Sequence, residues 1–127
     1  MNRVLLLLTE PMTSPLAWHS VAIAKELINQ NETVDVFFYQ DAAGIANRLN
    51  WRPSDESNLT FEWQQLPIER RVCVSTALAR GVTDPDNAAR HDLSTENKTG
   101  NIAEGFKLVG LGELADLMLQ ATRVIHL

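Results

Sequence analysis

Val4-Leu5-Leu6-Leu7-Leu8 is a continuous apolar run bounded by polar residues on one side and by Thr9-Glu10-Pro11 on the other. A strand with one wet face alternates apolar and polar residues. An unbroken run of this length therefore predicts a strand buried on both faces. Such a strand sits inside a sheet that is covered above and below. That demand limits the rest of the chain to elements able to cover it.

The following residues meet the demand. Ser14-Pro15 reads as an N-cap followed by proline at the first helical position, where a missing N–H costs nothing. Ala17, Val21, Ala24 and Ile28 then recur at helical spacing, and the helix is expected to end near Gln30-Asn31. Thr33 to Tyr39 is the second strand, rich in β-branched and aromatic residues. Asp41 is expected to cap a short helix through Ala46. Trp51 to Asn58 reads as a loop, and Leu59 to Ile68 as a helix that Pro67 ends early.

Arg71 to Ser75 gives the third strand and Thr76 to Arg80 a short helix closed by Gly81. Thr83-Asp84-Pro85 opens another helix through Ala89. Ser94 to Asn101 is the most loop-like stretch. Phe106 to Val109 reads as a strand, Leu111 to Gln120 as a helix and Thr122 to His126 as a last strand. Strands alternating with helices at this spacing mean βαβ units. The expected fold is a single-domain (residues 1–127) three-layer α/β/α structure with a mainly parallel five-stranded sheet. Its connections should be right-handed, with ligands and reactive groups outside the carboxyl ends of the strands.

Composition narrows the function classes. A chain of 127 residues with 45% hydrophobic and 21% charged residues suits one soluble globular domain. A formal net charge of -5 argues against a broad phosphate-binding surface, so no direct nucleic-acid contact is expected. One cysteine cannot form an internal disulfide. The first apolar run is too short for a signal-peptide core, and no stretch approaches a membrane span. A cytoplasmic protein with no membrane association is the expectation.

That one cysteine, Cys73, lies where the third strand turns into a helix. Free cysteines mostly behave as small buried hydrophobes, and on spacing alone this reading is the heavier. The other is a thiolate nucleophile. A helix starting at Ser75-Thr76 would direct free N–H groups and the positive end of its dipole toward the sulfur. Arg80, or less readily Arg71, would add positive charge if folded close. Both readings stay open on these grounds.

Other chemistries find less support. There is no G-x-S-x-G elbow, and Ser75 and Thr76 read as helix-start residues. His19, His91 and His126 are scattered and form no metal-ligand pattern with the cysteine, so no metal is expected. Gly105, Gly110 and Gly112 do not make a P-loop or a dinucleotide fingerprint and read as turn and helix-start glycines. Glu113 and Asp116 suit the first turns of a helix. Trp18, Trp51, Trp63 and Phe61 are too dispersed for base stacking and suggest core packing or subunit contact.

Several further segments carry a resemblance. These are Val36-Phe37-Phe38-Tyr39, Ala43-Gly44-Ile45-Ala46-Asn47, Ser54-Asp55-Glu56 and Trp63-Gln64-Gln65-Leu66. Then come Val72-Cys73-Val74, Ala77-Leu78, Arg80-Gly81-Val82, Asp84, Gly105-Phe106, Leu108, Gly110-Leu111-Gly112, Leu114-Ala115 and Arg123-Val124. Taken in order over residues 33 to 127, they resemble the DsrE-like sulfur-relay family, in its TusD-type branch. The loop Thr9 to Ser14 departs from that branch, which tends to carry glycine and tyrosine there.

The resemblance implies a flavodoxin-like, DsrE-like fold and a sulfurtransferase whose Cys73 carries a persulfide, without a cofactor. It also implies assembly with TusB-like and TusC-like paralogues in a heterohexamer, a persulfide-donor protein and a TusE-like acceptor. The implied end use is 2-thiolation of a tRNA wobble uridine, with sulfur oxidation the role of related DsrE proteins. A non-catalytic assembly subunit and a small-molecule or nucleotide-binding module remain the alternatives.

Overall fold

The computed structural model describes residues 2–93 and 99–127. Five strands, β1 (Arg3–Leu8), β2 (Thr33–Phe38), β3 (Arg70–Cys73), β4 (Phe106–Val109) and β5 (Arg123–His126), form one sheet in the order β4-β3-β2-β1-β5. Every pairing is parallel. The expected mainly parallel sheet is thus parallel throughout its described strands. β1 lies between β2 and β5, which explains its unbroken apolar sequence: Val4, Leu5, Leu6 and Leu8 are all buried.

Among the described residues five α-helices follow from the local chemistry. α1 (Pro15–Asn29) starts with Ser14 accepting a hydrogen bond from the Leu16 N–H and Pro15 in the first turn. Asn58 caps α2 (Leu59–Gln64) through the Phe61 N–H, and Asp84 caps α4 (Pro85–Arg90) through the Asn87 N–H. α3 (Val74–Ala79) begins directly after β3, with Cys73 at its N-cap. α5 (Leu111–Gln120) begins at Gly110 and returns the chain to β5.

The topology decides which side each helix covers. Steps from β1 to β4 move in one direction across the sheet, so right-handed crossovers put their connections on one face. The step from β4 back to β5 reverses direction and puts α5 on the other. Side chains confirm the split. Val4, Leu6, Leu8, Val36, Phe38 and Val72 join α1, α2 and Trp63 in one large cluster. Leu5, Phe37, Cys73 and Val109 join Leu117 of α5 in a second, smaller one.

Several boundaries differ from the sequence expectation. β3 ends at Cys73, not Ser75, because the chain turns there into α3. The helix after Leu59 stops at Gln64, since residues 65–68 leave it through turns, with Leu66 N–H to Trp63 O and Ile68 N–H to Leu66 O. Asp41 does not act as a cap. It lies inside a 3₁₀ turn, Gln40–Ala46, preceded by Tyr39, and its carboxylate receives Arg80 instead. Of the loop expected over Ser94 to Asn101, residues 94–98 lie outside the described residues.

Candidate functional site

The carboxyl ends of β1, β2, β3 and β4 lie along one edge of the sheet, and Cys73 ends β3 there. Its backbone (φ -62°, ψ 120°) is extended, which lets it close the strand and open α3 in one residue. Thr76 Oγ1 donates to the Cys73 carbonyl at 3.3 Å and fastens the turn. The Cys73 side chain makes no capping hydrogen bond to the first turn of α3. The helix thus starts at Val74, nearer the sulfur than the Ser75-Thr76 start that the sequence suggested.

Strand parity sets the direction of the thiol. Cys73 pairs with Val109 on β4, and Val72 pairs with Phe38 on β2. Cys73 therefore faces the α5 side, along with Phe37, Tyr39 and Val109. The residue is 1% exposed. Its neighbours in that layer are apolar: Leu5, Phe37, Val109 and Leu117, with Leu7, Tyr39 and Leu114 packed at the margin. Tyr39, which meets Phe37 edge-on with ring centroids 6.4 Å apart, borders the layer at the sheet's carboxyl edge.

Neither arginine named for Cys73 supplies free positive charge. Arg80 is committed to Asp41 Oδ1 at 2.9 Å and to the Thr76 carbonyl at 3.1 Å. Arg71 faces the same side as Cys73 but is surrounded by carboxylates. Its guanidinium reaches Glu69 at 2.6 Å, Glu113 at 2.6 Å and Asp35 at 3.5 Å. The buried Asp35 also receives Arg3 at 2.7 Å, and this hydrogen bond and charge raise the Arg3 pKa. Three strands, β1, β2 and β3, and the first turn of α5 are joined by these ions.

The sequence reading missed this ionic cluster. Its signal was present: Asp35 interrupts an apolar strand two residues before Phe37, and Arg71 stands two residues before Cys73. Both intervals keep a residue on the same face.

Other candidates disperse. His19 lies exposed on α1, His91 caps the end of α4, and His126 on β5 meets Thr9 Oγ1 at 3.0 Å. Among the described residues no group of three His, Cys, Asp or Glu is placed to hold a metal ion. Gly110 is the N-cap of α5, Gly112 lies in its first turn, and Gly105 occupies a left-handed turn (φ +87°) before β4. Trp63 is fully buried in the core, whereas Trp51 and Phe61 are exposed. The loop of residues 9–14 lies at the same carboxyl edge. It is fixed by Ser14 N–H to Pro11 O, Trp18 Nε1 to Met12 O and Thr9 N–H to Leu127 O. It follows β1, which stands two strands from β3, about 10 Å away at ordinary strand spacing.

The DsrE/DsrF-like family profile matches residues 2–127, a span that takes in every element above. The chain belongs to the DsrE/DsrF-like family. The sequence resemblance pointed to the same family. It is 41% identical to the Sulfurtransferase TusD of Erwinia tasmaniensis over 108 residues, covering 81% of each chain. It is 44% identical to the Sulfurtransferase TusD homolog of Vibrio parahaemolyticus over 108 residues, 81% of this chain and 79% of that one. The fold matches the crystal structure of the ychN protein from E. coli with a TM-score of 0.73 over the whole of both chains, at 21% identity. No helix among the described residues is long and apolar enough to cross a membrane.

Proposed function

We propose that Cys73 is the sulfur carrier of this protein and holds the transferred atom as a persulfide. The chain is a sulfur-relay sulfurtransferase, in keeping with TusD-named relatives at 38% to 44% identity. The observation that supports Cys73 is its position: the chain's one thiol stands at the strand-to-helix junction on the carboxyl edge of the sheet. Reactive groups gather at that edge in open parallel sheets.

The chemistry balances without an outside oxidant. The Cys73 thiolate attacks the outer sulfur of a donor persulfide. The donor's sulfur–sulfur bond breaks, the donor leaves as a thiolate, and Cys73–S–SH remains. An acceptor thiolate then attacks that outer sulfur and releases Cys73 as a thiolate. Each step is exchange at sulfur. The apolar layer around Cys73 shields the intermediate from water and oxidants between the two steps.

The further reading follows the TusD-named relatives. The protein works in the cytoplasm, assembles with TusB-like and TusC-like paralogues, and passes sulfur to a TusE-like acceptor for tRNA wobble-uridine 2-thiolation. A second reading, a non-catalytic assembly subunit, draws support from the burial of Cys73.

The test is direct. The purified protein is incubated with a persulfide donor, and the Cys73 peptide is expected to gain the mass of one sulfur atom. Transfer to an acceptor thiol should fall to background in Cys73→Ala. An unmodified peptide, or undiminished transfer by the variant, would favour the assembly subunit.

A further inference from the structure

We infer that Arg71 and Glu113 are positioning residues for Cys73: their ion pair holds the first turn of α5 against the sheet and sets how often the thiol is reached. This rests on the reading of Cys73 as the sulfur carrier. A thiol 1% exposed cannot meet the sulfur of another protein until something above it moves. The side chain faces the layer under α5, so the candidates for motion are α3 and α5.

α3 is held. Ala77 is buried in the large cluster of the opposite face, and Arg80 at the end of α3 is clamped to Asp41 and to the Thr76 carbonyl. α5 is held far less firmly. Leu117 is its one buried residue. Leu111, Met118 and Leu119 point outward, and Leu114 is only partly covered. The polar tie from its first turn to the sheet is Glu113 to Arg71.

The character of that tie suits a catch that opens and closes. Arg71 Nε and Glu113 Oε2 approach within 2.6 Å. The contact is an ion pair at the margin of the sheet, with Glu113 more exposed than Arg71. Glu113 is 36% exposed and can exchange Arg71 for water, whereas Arg71 keeps Asp35 and Glu69 when Glu113 leaves. Opening therefore strands no buried charge, which would otherwise make it costly. The helix start supplies the pivot. A Cβ at Gly110 or Gly112 would meet nothing within 4 Å, and neither residue has a positive φ, so the closed form itself makes no demand for glycine. Gly112, inside the helix, lowers the stability of the first turn.

The experiment measures the alkylation rate of Cys73 with iodoacetamide and with a bulky maleimide, alongside hydrogen exchange of the α5 amides. In Glu113→Gln, with its fold checked by circular dichroism, iodoacetamide should react about threefold faster, as expected for losing a partly exposed ion pair. The maleimide should gain more, and α5 should exchange faster. Gly112→Ala should slow all three. The inference is overturned if Glu113→Gln leaves the rates unchanged. It is also overturned if both reagents gain equally without faster exchange, the mark of a purely electrostatic effect on the thiol. Should Glu113→Gln not fold, Gly112→Ala decides alone, and an unchanged maleimide rate overturns the inference. Alkylation and exchange report opening whether or not the thiol ever carries sulfur. Failure here thus leaves the relay reading standing, and a missing sulfur adduct leaves the catch standing.

Discussion

The two faces of the sheet are built to different standards. On one, Phe38 meets both Trp63 and Phe106 edge-on, at centroid distances of 5.2 and 5.4 Å, and α1 contributes Ala17, Val21, Ala24 and Leu27. On the other, a single ten-residue helix among the described residues covers the sheet through Leu117, and an ionic cluster occupies ground that would otherwise be apolar. Cys73 is on the second. The difference fits the proposal above, in which one face supplies the stability of the fold and the other keeps the sulfur-carrying thiol under a cover light enough to lift.

Three substitutions would break or sharpen this division. Trp63→Ala on the heavy face should cost about 3–5 kcal/mol and bring the protein close to unfolding, as measured by urea titration. Leu117→Ala on the light face should cost about 2–3 kcal/mol, the lower part of the usual range, and speed alkylation of Cys73. A larger loss at Leu117 than at Trp63 would reverse the comparison. Leu119→Lys should move stability by no more than about 0.5 kcal/mol, because Leu119 is 86% exposed. A loss several times greater would mean that α5 is packed more deeply than the other residues of its surface imply.

Much of the fold was legible because its signals are local. The unbroken apolar run of β1, Ser14-Pro15 ahead of α1, and the bounds of β4 and α5 all follow from neighbouring residues. The end of β3 was not, since Val74 and Ser75 have strand-compatible side chains and the turn at Cys73 depends on tertiary packing. Asp41 carried a sound capping signal, but Arg80, distant in sequence, claimed its carboxylate. For the site, sequence identified the thiol and its place at the junction. It could not give the face, which depends on pairing with Phe38 and Val109 across strands only four to six residues long. Nor could it show that Arg71 serves three carboxylates, two of them from other elements.

The place of α5 in the chain has a consequence for synthesis. α5, whose Leu117 shares the apolar layer of Cys73, follows it by roughly forty residues, which take about 2–8 s to translate. During that interval β3 can already pair with β2 while the thiol still lacks its lid. Until α5 is made and docked, the apolar layer that buries Cys73 in the finished fold is incomplete, and the thiol has less protection from sulfur donors and oxidants.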